Sequence, residues 1–259
     1  MSRSGVYISS IIPGFIGVCV FVFLSQTRNL NAKEMSGFTQ NQKTQQNKPD
    51  SATIIINKYL AALGGIEKLE SIKSLYMEGT INIRGQKAQT KVWTIGNHAA
   101  RNEFTINGFT NWSITRTDSG WSYNPRRGQK FPEPMTADMI KLSQPGLDVK
   151  GTLVDYKDKG YKIEYKGIDQ IEGSDVYVIE EKLNESITKT FYIDLDSYLI
   201  IRVHTKSVTK NKVTYSNADY SNYKKTTDGY MFAMTVGNIN YKTITVNPEI
   251  NEAIFIPKK

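Results

Sequence analysis

The residues able to do chemistry in this chain are few and scattered. The two histidines, His98 and His204, lie far apart, and neither sits in the H-E-x-x-H spacing that sets a zinc pair on one helix face. Each reads as a surface or hydrogen-bonded side chain, His204 on the polar face of its strand beside Arg202. Two carboxylate pairs stand out, Glu180–Glu181 and Asp194–Asp196. Acid–base hydrolysis needs two carboxyl groups set against each other in space, and neighbours in sequence do not establish that. Asp194 and Asp196 fall in "YIDLDSYLI", where short carboxylates cap turn N–H groups, and Glu180–Glu181 reads as a solvated strand end. Gly64–Gly65 in "LGGIEKLESIK" could cradle a phosphate. The Lys-Ser/Thr and the preceding buried strand of a phosphate loop are missing, so the pair reads as a helix stop. No G-x-S-x-G or G-x-G-x-x-G stretch occurs. The sequence implies no catalytic residue, no metal site and no cofactor.

Cys19 is the sole cysteine and lies inside the apolar run Ile11–Leu24. It reads as a small apolar residue of that run; lipidation there is disfavoured by Val18, where a lipoprotein signal wants a smaller residue. Residues 1–32, with Arg3 ahead of the run and small residues after it, describe a secretory signal peptide, with cleavage after Ala32 one reasonable point. An uncleaved N-terminal anchor is the alternative, since Tyr7–Leu24 approaches the length of a membrane span. Once the signal is removed, no thiol remains for disulfides, thiol catalysis or zinc–thiolate binding. Residues 33–51 are rich in Gln, Asn, Lys, Ser and Thr and read as a flexible polar tether. One domain follows, 52–259. The net charge of +8 suits an anionic lipid surface, and no dense Lys/Arg stripe with interleaved aromatics points to nucleic acid.

What the chain does offer is large, adaptable apolar side chains: 15 Tyr, 10 Phe, 3 Trp and 7 Met. Methionine fits variable shapes because it is unbranched and polarisable. Leu75, Met77, Ile81, Ile83, Trp93, Trp112, Met135, Met139 and Leu142 are the candidate lining of an apolar cavity; the same residues would equally fill an ordinary core. The elements that must position them follow from periodicity. Ile55, Ile56, Tyr59, Leu60 and Leu63 recur at helical spacing, and a shorter helical stretch follows Gly64–Gly65. From Ser74 the period becomes two, with Leu75, Met77, Gly79, Ile81 and Ile83 on one face. Strands continue through "AQTKVWTIG" and "HAARNEFTING", and a hairpin turns at Asp118-Ser119-Gly120. Pro132 and Pro134 bar a central strand. Met135–Leu142 and "GTLVDYKDKG" read as helical. Strands resume from Tyr161 to the end, with "MFAMTVGNINYKTITVN" as one of them and "AIFIP" as a last one. The total is about eleven strands, mostly antiparallel, with a few short helices. A helix laid into a curved sheet leaves an apolar pocket of the kind that holds an acyl chain.

Along 52–259 an ordered set of stretches resembles the LolA-like outer-membrane lipoprotein-sorting proteins. They are "YLAALGGIEKLESIKSLYMEGT", "GWSYNPRRGQKFPEPM", "DYKDKGYKIEYKG", "FYIDLDSYLIIR", "DYSNYKKTTDGYMF" and "ITVNPEINEAIFIPKK". One departure is "DGYMFAM", which lacks the Phe-Pro common after this Asp-Gly turn. The resemblance implies a mainly β (β-rich α+β) fold, an incomplete antiparallel β-barrel closed by short helices over an apolar cavity. It implies a non-enzymatic monomeric carrier of lipid or acylated lipoprotein in the periplasm or envelope of a Gram-negative bacterium, with membrane-bound donor and acceptor proteins as further partners. The alternative on the same fold is an envelope sensor or adaptor that binds a protein partner.

Overall fold

The computed structural model describes residues 10–11, 19–20, 50–83, 85–210 and 212–258. The expected export segment and tether lie almost wholly outside these residues. Of the first, Ser10–Ile11 pairs antiparallel with Cys19–Val20; of the second, Asp50 and Ser51 already belong to a helix. No described helix is long and apolar enough to cross a membrane.

That helix, α1 (Asp50–Ala62), buries Ile55, Ile56, Tyr59 and Leu60, with Leu63 just beyond its end. It stops because the chain turns left-handed. Gly64 has φ 122° and Gly65 φ 96°. Gly65 N–H donates to Leu60 O (3.0 Å) and Gly64 N–H to Ala61 O (3.1 Å), the paired bonds of a Schellman cap. A Cβ on Gly64 would stand 2.7 Å from Gly229 O, whereas one on Gly65 would meet open space. Gly64→Ala should therefore cost more than the roughly 1–3 kcal/mol of an unfavourable φ alone, and Gly65→Ala only that conformational part. Urea unfolding of the two variants checks this; equal losses would mean that the close approach to Gly229 is relieved at no cost. α2 (Ile66–Glu70) buries Leu69 and delivers the chain to the first strand.

The strands are β1 (Ser74–Ile83), β2 (Gln86–Ile95), β3 (Ala99–Ile106), β4 (Phe109–Arg116), β5 (Gly120–Tyr123), β6 (Glu133–Pro134), β7 (Lys162–Ile171), β8 (Ser174–Asn184), β9 (Ile187–Asp194), β10 (Ile200–Thr209), β11 (Lys212–Lys225), β12 (Met231–Val236) and β13 (Ile239–Val246). They form one 13-stranded antiparallel sheet in the order β6-β5-β4-β3-β2-β1-β13-β12-β11-β10-β9-β8-β7. The first strand pairs with the last, Ile81 opposite Ile239 and Leu75 opposite Val246. Both free edges therefore belong to consecutive strands, β6 and β7. The sheet is an incomplete barrel whose seam falls where the chain passes from one edge to the other.

Residues 135–161 cover that passage. α3 (Ala137–Ser143) is capped by Thr136 Oγ1 accepting from Met139 N–H (3.3 Å), and a 3-10 turn follows at Gln144–Leu147. One end of this crossing segment touches β2 and β3: Asn97 N–H donates to Leu147 O (2.8 Å). Its other part reaches β8 and β9 through Thr152 and Tyr161. "GTLVDYKDKG" is a succession of turns here, not a helix. Gly151 and Gly160 both have positive φ, and Lys159 Nζ ties the turns together by donating to Asp148 Oδ2 (2.7 Å) and Gly151 O (3.0 Å).

Two further expectations are corrected. "MFAMTVGNINYKTITVN" is a hairpin, β12 and β13, because Gly237 at φ 57° reverses the chain. "AIFIP" is not a strand: Glu252–Phe255 form a 3-10 turn that plants Phe255 on the sheet. The hairpin at Asp118-Ser119-Gly120 is present, with Ile114 opposite Trp121 and Trp112 opposite Tyr123. The proline-bearing stretch forms the two-residue edge strand β6, where a missing N–H leaves no ladder bond unmade.

Candidate functional site

Directly opposed residues in an antiparallel ladder share a face, so the register traces the inner face across the sheet. Leu75 lies opposite Thr94 and Val246, Met77 opposite Val92 and Ile244, and Ile81 opposite Ala88 and Ile239. Except for Thr94, these residues join Ile83 in one apolar cluster with Ile55, Ile56, Tyr59 and Leu60 of α1 and with Val149, Leu153 and Val154 of the crossing segment. Four of the expected lining residues, Leu75, Met77, Ile81 and Ile83, are thus brought together, all of them buried in the cluster that also holds α1.

The other five are elsewhere. Trp93 opposes Tyr76 and Trp112 opposes Tyr123, which puts both tryptophans on the outer face. They lie in a separate cluster with Ile114, Trp121 and Phe255, sealed by the C-terminal turn. Arg101 stacks its guanidinium 4.7 Å above the Trp112 ring and donates to Ile254 O (3.0 Å), fixing that turn in place. Leu142 packs with Leu183, Ile187 and Tyr161 near the seam. Met135 is buried at the start of the crossing segment, its sulfur close to Gly120, and Met139 is half-buried on α3.

α1 fills the apolar half of the concavity. It is held there by packing, by a hydrogen bond between Thr53 Oγ1 and Tyr156 OH (3.1 Å), and by Lys58, which donates to Tyr198 OH (2.9 Å). Between α1, the crossing segment and Phe191 the packing leaves a void of only about 10 Å³, lined by Tyr59, Leu60 and the run from Lys150 to Val154. That is room for a single water. A hollow of about 390 Å³ opens instead on the surface, among Glu78, Thr80, Lys87, Gln89 and Lys242; its charges do not suit an acyl chain.

The inner face also carries polar groups that the sequence did not reveal. Glu181 is fully buried, not solvated, while its neighbour Glu180 faces water and pairs with Lys166. Alternation places two adjacent residues on opposite faces, and here the inward one is an acid. Glu181 Oε2 accepts from Thr152 Oγ1 (2.5 Å), which in turn accepts from Lys189 Nζ (3.4 Å), directly across the β8–β9 ladder. Burial pushes the Glu181 carboxyl up to about 7; Lys189, Thr152 and Lys159 pull it down, less strongly. Glu181 Oε1 has no hydrogen-bond partner among the described residues.

It has company. Thr90 and Thr94 on β2, Asn102 on β3, and Asn111, Ser113 and Thr115 on β4 each bury a polar atom without a partner among the described residues, as do Thr205, Tyr220 and Tyr241. All of these fall on the inner face by register. A buried polar group left unpaired costs about 1–3 kcal/mol, so native interiors rarely hold many. The concavity therefore has an apolar half under α1 and a neutral polar half on β2–β4. Among the described residues no group of three or more His, Cys, Asp or Glu could hold a metal.

No known family model matches the chain, and no curated protein does. Solved structures do. A DUF1329 family protein from Desulfovibrio piger is 13% identical and superposes with a TM-score of 0.50 over 79% of this chain and 97% of that one. The fold is shared with that protein. An outer membrane lipoprotein-sorting protein domain from Vibrio parahaemolyticus is similar at 15% identity, with TM-score 0.48, covering 80% of this chain and 97% of its own. A LolA superfamily protein from Nitrosomonas europaea matches at 12% identity and TM-score 0.48, covering 76% and 97%. Lipoprotein-sorting and LolA-superfamily proteins are among the structures this chain is similar to.

Proposed function

We propose that the protein is a non-enzymatic, exported carrier that takes the acyl chain of a lipid or lipoprotein into the concavity of its sheet and hands it between envelope membranes. The observation that carries this reading is the lid-like placement of α1. The apolar inner face, Leu75 to Ile83, shares one cluster with α1 and the crossing segment, and α1 ends at Gly64–Gly65 ahead of α2 and the sheet. An acyl chain gains roughly 0.8 kcal/mol per buried CH₂, so a chain of ordinary length offers more than enough to displace one helix face. Leu75, Met77, Ile81, Ile83 and, at the seam, Leu142 are the lining in this reading.

Native mass spectrometry of the protein purified from envelope extract tests it. Adducts of acyl-lipid mass are expected, together with saturable binding of a fluorescent fatty-acyl probe. No adduct and no probe binding overturn the carrier reading. A stoichiometric protein crosslinked in the native envelope, with the concavity empty, would turn it into a partner-binding one.

A further inference from the structure

The polar half of the concavity has no place in a purely acyl-binding account. On three adjacent strands the register sets Thr94 beside Thr115 across Ala100, Asn102 directly opposite Ser113, and Thr90 beside Asn111 across Phe104. These six residues form one contiguous patch. Five are buried, Thr94 at 0% exposed, Thr90 and Thr115 at 1%, Asn102 at 4% and Ser113 at 5%, and Asn111 is half-buried. Both amide atoms of Asn102 and the hydroxyls of Thr90, Thr94, Ser113 and Thr115 lack partners among the described residues. Asn111 keeps one bond, to Phe104 O (3.3 Å), and leaves its oxygen free.

Cys19–Val20 of the same chain lies against β3, and groups withdrawn from water on this scale are otherwise satisfied by ordered water or by a ligand that displaces it. The chemistry of the patch says what kind of group that is. Hydroxyls and a carboxamide both donate and accept, so they match carbonyls and hydroxyls alike. None of the six is charged, and the buried charges of the inner face, Glu181 and Lys189, lie on β8 and β9. A phosphate or carboxylate placed on β2–β4 would be buried without a counter-charge. We infer that the inner faces of β2, β3 and β4 bind the uncharged, hydrogen-bonding part of an acylated ligand, its ester, amide or hydroxyl groups, while the acyl chain occupies the apolar half. This rests on the carrier reading and narrows it to ligands whose linkage region is polar but neutral.

The test compares two ligands with the same acyl chain and ester, one neutral and one carrying an anionic headgroup: a 1-monoacylglycerol and its 3-phosphate, titrated at pH 7 against the full chain. The triple variant Thr94→Val, Ser113→Ala, Thr115→Val removes the hydroxyls at nearly constant volume. The wild type should bind the monoacylglycerol about tenfold or more tightly than the phosphate, the worth of one or two net hydrogen bonds. The variant should shrink that preference to about twofold or less and, without ligand, unfold at the same temperature or higher, because apolar groups replace unpaired hydroxyls. Asn102→Leu alone serves where the triple variant does not fold. A preference for the phosphate, or a preference that the variants leave unchanged, overturns the inference while leaving the carrier reading standing, since the patch would then hold water only. Binding of neither ligand to the wild type overturns both.

Discussion

Between pH 5 and pH 8 the folded protein should lose roughly 2–3 kcal/mol of stability through one side chain, Glu181, and Glu181→Gln should abolish that part of the slope. The sign follows from the direction of the shift. Burial raises the folded-state carboxyl from 4.5 to about 7, so the folded chain holds this proton where the unfolded chain has released it. The contribution is fully present below pH 4.5, is lost as pH rises toward 7, and levels off above that. Glu181 is 0% exposed, so solvent does not screen it. The charged groups facing it are Lys189 across the ladder and Lys159 and Asp148 on the crossing segment; the hydroxyls of Tyr59 and Tyr161 are also near enough for its charge to push their ionisation upward. Lys189→Met gives the complementary outcome. With the ammonium gone, the carboxyl has less to hold it ionised, and the decline in stability should continue past pH 7 instead of levelling. Denaturant unfolding at several pH values reads both variants. A wild-type profile without a Glu181-dependent fall between pH 5 and 8 would mean that water reaches the carboxylate.

This acid shows how far the sequence was legible and where it stopped. Alternation alone put Leu75, Met77, Ile81 and Ile83 on one face, and they share it, because a strand's two faces are a local property. The same rule applied to "VIEEKL" sends one glutamate inward, but which of the two depends on what packs against the strand, and Thr152, which bonds the inward one, comes from the crossing segment 29 residues away. The tryptophans failed for a related reason. In "NWSIT" the apolar pair Trp112 and Ile114 looks like the inner set and Ser113 and Thr115 like the wet one. Both faces are covered, the outer by Phe255 and Ile254 from the far end of the chain, so the polar set is the one that faces the concavity. "GTLVDYKDKG" reads as helical in the sequence, but its buried residues Leu153 and Val154 are held by turns that cross the seam, and a seam is a property of the whole sheet.

α1 provides the second large effect, because a lid and a core residue respond differently to the same loss of packing. Leu60 on α1 and Ile179 on β8 are both buried in the main cluster. Either residue changed to Ala should cost about 2–5 kcal/mol of unfolding free energy. Their effects on an acyl probe should diverge. If the chain enters where α1 now lies, binding must first lift the helix, and apparent affinity is reduced by that cost. Leu60→Ala lowers it, so probe affinity should rise, by up to about tenfold for each 1.4 kcal/mol taken from the docking of α1. Ile179→Ala removes apolar surface that the probe itself would touch, so affinity should fall or stay level. Probe titration alongside urea unfolding separates the two quantities. Affinities that fall together with stability in both variants would show α1 to be a fixed part of the core, and the acyl chain would then have to enter at the seam, between β6 and β7, beneath the crossing segment.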